Sequence, residues 1–295
     1  MNKRLLLTGA YGLVGQALCN ILERDYPDIE VVKIKFDGSL LEPRVLIWKE
    51  YKSFDYIIHA AGYGQPQMFG RDKIKTISVN TKFTDTLFVD YLKPKGSFLF
   101  ISTSEVYSGT PSPHTEDMIG TTTPQHPRAC YIEGKRCGES ICMAYKEQGY
   151  DVKIARLALA YGEGTKKGDT RVLNQLIEQA LTQGEIKLLD NGEAERTYCY
   201  VGDVAEMLLD ILFKGKDVVY NVGGVSKVTI KELAEWIGEI TKTDVILGTE
   251  IMEGSPHSVE LDISKITTEF PRKFTELDVG LTKTINYQKM LYGKE

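Results

Sequence analysis

Thr8-Gly9-Ala10-Tyr11-Gly12-Leu13-Val14-Gly15 is the stretch that decides the fold, because it joins a short apolar run to an amphipathic one. Leu5 to Thr8 predicts a buried strand, and Leu13 to Asp25 has apolar residues at helical spacing. The three glycines permit a tight turn, a close approach of the backbone to a pyrophosphate, and close packing of the helix on the sheet. Free N–H groups at the helix N-terminus would hold the phosphates. The predicted dinucleotide-binding turn consists of Gly9, Tyr11, Gly12, Leu13, Val14 and Gly15.

The second predicted strand leads to an acid. Glu30 to Phe36 is rich in β-branched residues, and Asp37 follows it, about twenty residues after the glycine-rich turn. This spacing is expected of a ligand for the ribose 2′-hydroxyl, so we predict that the cofactor is NAD. Lys33 and Lys35 leave a 2′-phosphate, and therefore NADP, as an alternative, and a plain exposed loop acid is another. The stretch from Gly38 to Phe54 is short, so the usual third strand beside the adenine could be missing.

Further apolar runs alternate with helical ones along the chain. Strands are predicted over Asp55–Ala60, Ser97–Ser102 and Val152–Leu159, and helices over Thr76–Tyr91 and Arg128–Gln148. Each strand is almost wholly apolar, which is typical of a parallel sheet with helices on both faces. The predicted fold class is therefore α/β, with a Rossmann-type doubly wound parallel sheet.

The pattern loosens after Tyr161. A polar loop over residues 163–169 precedes short helices predicted over Val172–Thr182, Val204–Phe213 and Ile230–Thr241, which alternate with short strands. This indicates a smaller C-terminal lobe that binds the substrate, with parts returning to the main sheet. The predicted division assigns residues 1–165 and about 198–225 to the dinucleotide-binding domain, and about 166–197 and 226–295 to the lobe.

The composition excludes several other classes of protein. The chain has 295 residues, of which 42% are hydrophobic, and a formal net charge of -5, which argues against nucleic-acid and membrane-surface partners. Its 5 cysteines show no CxxC spacing and its 4 histidines are scattered, so we expect no disulfide framework, no metal site and a reducing cytoplasm. The apolar run at the N-terminus is too short for a signal peptide, and no stretch has the length of a membrane span.

Tyr131 and Lys135 are candidate catalytic residues, because residues four apart lie one above the other on a helix face. A nearby ammonium favours the phenolate, so we expect Tyr131 to act as a base below its ordinary pKa. Thr103 and Glu105 follow a predicted strand at its carboxyl end, where open α/β sheets bind ligands. A surface pair, a capping hydroxyl and a solvated loop acid are the alternative interpretations of these residues.

These motifs together resemble the extended short-chain dehydrogenase/reductases that act on nucleotide sugars. The resemblance rests on TGAYGLVG, on HAAG from His59 to Gly62, on the position of Asn80, on STSEVY and on YIEGK. It implies that Thr103, Tyr131 and Lys135 form the catalytic triad. It also implies that Lys135 contacts the nicotinamide ribose, and that the remaining cofactor-binding residues are Ala60, Ala61, Gly62 and Asn80.

Within that superfamily, the chain is most similar to UDP-glucuronate decarboxylases, which make UDP-xylose. Thr103 to Tyr107 matches their TSEVY run, and Pro127 to Arg136 matches PRACYxEGKR. Arg171 and Arg196 match arginines that hold the nucleotide diphosphate and the sugar, although each could instead form a surface ion pair. The run Leu159-Ala160-Tyr161-Gly162-Glu163-Gly164 departs from the Asn-Thr-Tyr-Gly-Pro-Arg of that family. The resemblance implies that the substrate contacts Thr103, Ser104, Glu105, Arg171 and Arg196.

The resemblance implies a shared first step, in which hydride leaves C4 of the sugar as Tyr131 takes the hydroxyl proton. A 4-keto uronic acid can then lose CO₂ without a base at C5, whereas loss of water needs a base such as Glu105 and an acid, for which Ser104 is poor. This favours a decarboxylase, with a 4,6-dehydratase or a 4-epimerase as alternatives. A non-catalytic dinucleotide sensor would usually lack the Tyr131 and Lys135 pair.

We also expect a homodimer, formed by a four-helix bundle of Thr76–Tyr91 and Arg128–Gln148 from each subunit. Both helices have apolar residues on more than one face, and a helix that is apolar on two sides needs a second partner. The residues concerned are Phe83, Leu87, Phe88, Ile132, Ile141 and Met143.

Overall fold

The computed structural model describes residues 3–34, 52–249 and 258–294. Its strands are β1 (Lys3–Thr8), β2 (Ile29–Ile34), β3 (Phe54–His59), β4 (Leu92–Thr103), β5 (Asp151–Leu157), β6 (Ala160–Tyr161), β7 (Glu185–Lys187), β8 (Glu195–Tyr200), β9 (Val219–Val222), β10 (Ser226–Thr229), β11 (Asp244–Ile246) and β12 (Ser258–Val259). Its α-helices are α1 (Leu13–Asp25), α2 (Pro66–Arg71), α3 (Lys73–Asn80), α4 (Lys82–Thr86), α5 (Ala129–Glu147), α6 (Val172–Gln183), α7 (Val201–Lys214), α8 (Ile230–Thr241), α9 (Ser264–Glu269) and α10 (Leu277–Tyr292).

Among the described residues, the main sheet has six parallel strands in the order β2-β1-β3-β4-β5-β9. The chain leaves β1 for β2 on one side and then crosses to β3 on the other, so the strand order reverses between β1 and β3. Ligands of such sheets bind beyond the carboxyl ends of the strands at this reversal. The predicted fold class is confirmed. Asp37 and the question of a third strand fall on residues 35–51, outside the described ranges.

The two faces of the sheet have separate apolar cores. Leu5 and Leu7 belong to a cluster with residues of α1 and α7, whereas Leu6 belongs to a second cluster with residues of α3, α4 and α5. Successive side chains of a strand point to opposite faces. A strand that is apolar at every position is therefore buried on both sides, as the sequence predicted.

Helices α3 and α5 pack closely because α5 has glycines where they meet. A Cβ on Gly138 would lie 2.6 Å from the Asn80 carbonyl oxygen and 2.5 Å from the Phe100 ring. A Cβ on Gly134 would lie 3.5 Å from Cα of Ile77. This close approach brings the end of α3 beside the middle of α5, where Lys135 lies.

The prediction of one continuous helix over Thr76–Tyr91 is wrong. The segment divides into α3, α4 and a π-helical turn over Leu87–Tyr91. The hydroxyls of Thr81, Thr84 and Thr86 each donate to the carbonyl four residues earlier. Such bonds compete with the helical backbone pattern and often bend a helix. The spacing of apolar residues does not reveal these side-chain bonds, so it predicted a single helix.

The C-terminal part of the chain contributes smaller sheets and a third core cluster. Strands β10, β8 and β12 pair in that order, β6 also pairs with β8, and β7 pairs with β11. Residues of α6, α8 and α10 form the cluster, whereas α7 packs on the main sheet. The helices predicted after residue 171 are present as α6, α7 and α8. The division of the chain into two domains stays a prediction.

Candidate active site

The glycine-rich turn has the geometry that the sequence predicted. Gly9 has φ of +73°, and a Cβ there would lie 2.5 Å from the Ala60 carbonyl oxygen. A Cβ on Gly15 would lie 2.1 Å from the Gly9 oxygen, so the packing of the protein requires both glycines. A Cβ on Gly12 would approach only the Gly9 oxygen, at 3.3 Å. The protein's own packing therefore does not demand glycine at position 12, and a ligand that approaches the N-terminus of α1 would explain it.

A buried histidine joins the turn to the end of β3. His59 Nε2 lies 3.0 Å from the Val79 carbonyl, and its Nδ1 lies 2.8 Å from the Thr8 hydroxyl. Because a carbonyl only accepts, Nε2 carries the proton and Nδ1 accepts from Thr8, which in turn accepts from the Ala61 N–H. Burial lowers the pKa of His59 to about 3, so the ring is neutral. Together with the bond from the Ala60 N–H to the Thr8 carbonyl, at 3.2 Å, these contacts hold Ala60 and Ala61 beside the turn.

Lys135 is buried at the carboxyl end of β4. Its Nζ donates to the Ile101 carbonyl at 2.7 Å, and burial lowers its pKa to about 8, although the Glu139 charge opposes this change. A Cβ on Gly62 would lie 4.0 Å from Lys135 Nζ and 3.9 Å from Asn80 Oδ1. That Asn80 oxygen is buried and has no hydrogen-bond partner. Beside Gly62, Lys135 Nζ therefore offers a donor and Asn80 Oδ1 an acceptor for the hydroxyls of a nicotinamide ribose.

Tyr131 lies one turn before Lys135 and faces Thr103. Burial and the Glu105 charge raise the pKa of Tyr131 to about 12, against a hydrogen bond from Thr103 and the charges of Arg128 and Arg171. The expectation that Lys135 brings this pKa below its ordinary value is therefore wrong for the protein alone. The positive nicotinamide of a bound NAD⁺ would supply a cation beside the phenol and accept the hydride.

Glu105 lies in a 3₁₀ turn, Ser104–Tyr107, that begins where β4 ends. The Thr103 hydroxyl caps this turn by accepting from the Glu105 N–H at 3.2 Å. Arg128, the residue before α5, forms an ion pair with Glu105 through Nη2 and Oε1. Burial raises the pKa of Glu105, and the Arg128 charge opposes that rise. Glu105 is thus a partly buried, paired carboxylate, which differs from a solvated loop acid.

Sequence reasoning did not find two residues of this site. Phe69 of α2 stacks on Tyr131 with ring centroids 4.7 Å apart and an angle of 6° between the planes. The Arg128 guanidinium lies over the same Phe69 ring, 5.4 Å from its centroid. Arg128 could have been found, because it lies in the PRACY run on which the family resemblance rests. Phe69 belongs to none of the motifs quoted above.

The two arginines predicted to hold the substrate have different surroundings. Arg171 precedes α6 and donates to both carboxylate oxygens of the buried Asp169, and its charge acts on the Tyr131 phenol. Arg196 lies on β8, where its Nη1 donates to the Glu195 carbonyl at 2.6 Å. The charge of Arg171 therefore reaches the Tyr131 phenol, whereas Arg196 lies in the second sheet.

Two further observations bear on the class of protein. Within residues 3–34, 52–249 and 258–294, no group of His, Cys, Asp and Glu side chains is arranged to hold a metal ion. None of the helices in those ranges is both long and apolar enough to cross a membrane.

Comparisons with known proteins agree with this geometry. A model of the NAD dependent epimerase/dehydratase family matches residues 5–223. UDP-glucuronic acid decarboxylase 1 of Danio rerio is 31% identical over 306 residues, which cover 97% of this chain and 72% of that protein. RMD from Pseudomonas aeruginosa, solved with NADPH, has a TM-score of 0.84 at 24% identity over 98% of this chain and 99% of its own. UDP-glucuronic acid 4-epimerase from Bacillus cereus, solved with UDP-glucuronic acid and NAD, has a TM-score of 0.80 at 22% identity over 98% of this chain and 100% of its own.

Proposed function

Because the chain belongs to the NAD dependent epimerase/dehydratase family, we propose that it uses NAD to convert UDP-glucuronate into UDP-xylose by way of a 4-keto intermediate. The observation that best supports a catalytic role is the cluster of Thr103, Tyr131 and Lys135 at the carboxyl end of β4, next to the dinucleotide turn. The Danio rerio relative supports the choice of reaction, since it is named for this decarboxylation and matches almost the whole chain.

Each member of the cluster has a distinct role in this proposal. Tyr131 takes the proton of the sugar 4-hydroxyl, and Thr103 holds that oxygen by a hydrogen bond. Lys135 holds the nicotinamide ribose together with Asn80. C4 loses a hydride, which a bound NAD⁺ would accept and later return. The C5–C6 bond of the resulting β-keto acid breaks, and its electron pair enters the enolate as CO₂ leaves. C5 then takes a proton from solvent water, and hydride returns to C4 while Tyr131 gives its proton back to the 4-oxygen.

The surroundings of Glu105 favour decarboxylation over loss of water. Removal of the C5 proton needs a base, and the Arg128 charge paired with Glu105 Oε1 opposes the rise of the Glu105 pKa, which makes Glu105 a weaker base than an unpaired buried carboxylate. Loss of water also needs an acid at the leaving hydroxyl, and Ser104 occupies the neighbouring position. Loss of CO₂ needs neither group. A 4-epimerase stays the second candidate, because the Bacillus cereus epimerase shares the fold and also binds UDP-glucuronic acid.

The test is incubation of the NAD-loaded protein with UDP-glucuronate and UDP-glucose, followed by mass spectrometry of the products. We expect UDP-glucuronate to lose CO₂, with Tyr131→Phe as the inactive control. Glu105→Gln should impair this turnover less than Tyr131→Phe. Loss of water from UDP-glucose would instead indicate a dehydratase, and an unchanged mass with inverted C4 an epimerase. A wild-type protein that never reduces NAD with either sugar would refute the catalytic proposal.

We also propose the homodimer that the sequence predicted, a four-helix bundle of Thr76–Tyr91 and Arg128–Gln148, whose first segment begins in α3 and whose second is α5. Ile74, Ile77 and Met143 are apolar and exposed on these helices, with 73%, 39% and 39% of their surfaces accessible. Such a bundle would cover the exposed apolar residues of both helices. Four of the residues on which the sequence prediction relied cannot form the dimer surface, because they are buried inside the protomer: Phe83, Leu87, Phe88 and Ile132.

A cytoplasmic location and a preference for NAD over NADP complete the proposal. All five cysteines are free, which fits a reducing compartment. The cofactor preference rests on Asp37, which lies outside the described residues. The assignment of residues 1–165 and about 198–225 to the NAD-binding domain rests on the sequence pattern.

A further inference from the structure

The ion pair between Glu105 and Arg128 is incomplete. It uses one carboxylate oxygen and one guanidinium nitrogen, Glu105 Oε1 and Arg128 Nη2. Glu105 Oε2 and Arg128 Nε are both buried, and neither has a hydrogen-bond partner. Buried polar atoms in native proteins almost always have partners, so each exception calls for an explanation. A ligand with both a hydrogen-bond acceptor and a donor would complete this pair.

The pair lies next to the position where the proposed substrate would react. Phe69 stacks on Tyr131, and the Arg128 guanidinium lies over the same Phe69 ring. The charges of Glu105 and Arg128 both act on the Tyr131 phenol. In a hexose whose 4-hydroxyl meets Tyr131, C4 is bonded to C3 and to C5, and C5 carries C6. The C3 hydroxyl and the C6 substituent are therefore the parts of the sugar nearest to the pair, and of the two only the C6 group of a uronic acid is charged.

We propose that Arg128 is a specificity-determining residue, whose guanidinium is held by Glu105 and binds the C6 carboxylate of a nucleotide-linked uronic acid. This inference rests on the proposed function and adds the residue that distinguishes a uronic acid from a neutral hexose. The Arg128 side chain is 42% exposed, so its planar guanidinium can present N–H groups to a carboxylate. Charge-assisted hydrogen bonds of this kind are short and strong. A hydroxyl of the sugar would donate to Glu105 Oε2.

The proposal makes opposite predictions for the two partners. In the wild type the pair has no net charge, and Arg128 separates the substrate carboxylate from the like charge of Glu105. Arg128→Gln leaves Glu105 facing the uronic acid, so repulsion replaces attraction. Glu105→Gln leaves Arg128 free to bind the uronic acid. A neutral hexose should respond little to either change.

The experiment is calorimetric titration of UDP-glucuronate and of UDP-glucose into the NAD-loaded Tyr131→Phe protein, which binds the sugars without turning them over, and each further change is made in that background. We expect Arg128→Gln to lower the ratio of the two affinities by about 10- to 100-fold, the loss typical of a hydrogen bond to a charged group. Glu105→Gln should raise that ratio, and Arg128→Lys should keep part of it. Arg24→Gln is the control, since Arg24 pairs with Asp25 on the exposed surface of α1.

If Arg128 had a purely structural role, Arg128→Gln would weaken the binding of both sugars alike. An unchanged ratio of the two affinities in Arg128→Gln would therefore overturn the inference. A ratio that falls in both Arg128→Gln and Glu105→Gln would overturn it as well. The proposed decarboxylase function can be refuted independently of this inference. A wild-type protein that prefers UDP-glucuronate through Arg128 but inverts C4 without loss of CO₂ would keep this inference and refute the decarboxylase.

Discussion

Lys135→Met should remove activity and yet stabilise the protein below about pH 8. Burial lowers the pKa of Lys135 from its ordinary 10.5 to about 8. Each pKa unit corresponds to about 1.4 kcal/mol, so the buried ammonium costs the folded state about 3 kcal/mol. Methionine has a similar length and no charge, but it leaves the Ile101 carbonyl without its partner, at a cost of about 1 kcal/mol. The expected net gain in the free energy of unfolding is about 2 kcal/mol.

The sign of the pH dependence follows from proton binding. Between pH 8 and 10.5 the unfolded chain keeps the Lys135 proton that the folded protein has lost, so the wild type gains stability as the pH rises. The methionine variant has no such group. Its advantage over the wild type should therefore shrink through this window and end as a small deficit of about 1 kcal/mol, which is the unpartnered carbonyl.

Urea unfolding of both proteins without added cofactor, at several pH values across this window, tests the argument. Lys153→Met is the matched control, because Lys153 is also buried but pairs with Asp151 at 3.1 Å. Loss of that pair should destabilise the protein. A Lys135→Met variant that unfolds at lower urea concentration than the wild type at neutral pH would refute the reasoning, as would a difference that stays constant with pH.

Three further outcomes follow from the geometry. Tyr131→Phe keeps the stacking on Phe69 but removes the proton acceptor, so turnover should fall by about 10²- to 10⁴-fold while titration still detects NAD binding. Gly12→Ala should fold, because its Cβ would approach only one oxygen, at 3.3 Å, but it should bind NAD more weakly, because that Cβ would stand where the pyrophosphate approaches. Gly15→Ala should instead lower the melting temperature, because its Cβ would lie 2.1 Å from the Gly9 oxygen. A folded Gly12→Ala protein with unchanged NAD affinity would contradict this account. Ile77→Lys should give a monomer mass in light scattering if α3 and α5 form the dimer, and an unchanged dimer would place the interface elsewhere.

The features that the sequence predicted are those that depend on local pattern or on a glycine. Residues that are apolar at every position identified the parallel strands, since Leu5, Leu6 and Leu7 alternate between two cores. The glycine spacing located the turn, because the positions of Gly9 and Gly15 admit no side chain. Tyr131 and Lys135 were found because one helical turn separates them. In each case the signal and the structure lie within a few residues of one another.

The features that escaped prediction depend on contacts between distant segments. Phe69 stacks on a residue 62 positions later, and no periodicity of α2 indicates that partner. The pKa of Tyr131 was wrongly expected to fall, because the sequence places Lys135 nearby but does not show that burial and the Glu105 charge dominate. Likewise, the apolar residues Phe83, Leu87 and Phe88 of the predicted helix Thr76–Tyr91 suggested a dimer interface, but all three are covered within the protomer.

The proposed site shows where the fold gives up stability for binding. Asn80 Oδ1, Glu105 Oε2 and Arg128 Nε are buried without partners, and each such atom costs about 1–3 kcal/mol. Lys135 adds the cost of a buried ammonium. Unpaired polar groups in one place are typical of a preformed binding site, because a ligand that pairs with them recovers the desolvation already incurred. Asn80 and Lys135 face the proposed ribose position, and Glu105 and Arg128 face the proposed sugar position. These unpaired groups therefore support both halves of the proposal, a cofactor at the end of α3 and a uronic acid before α5.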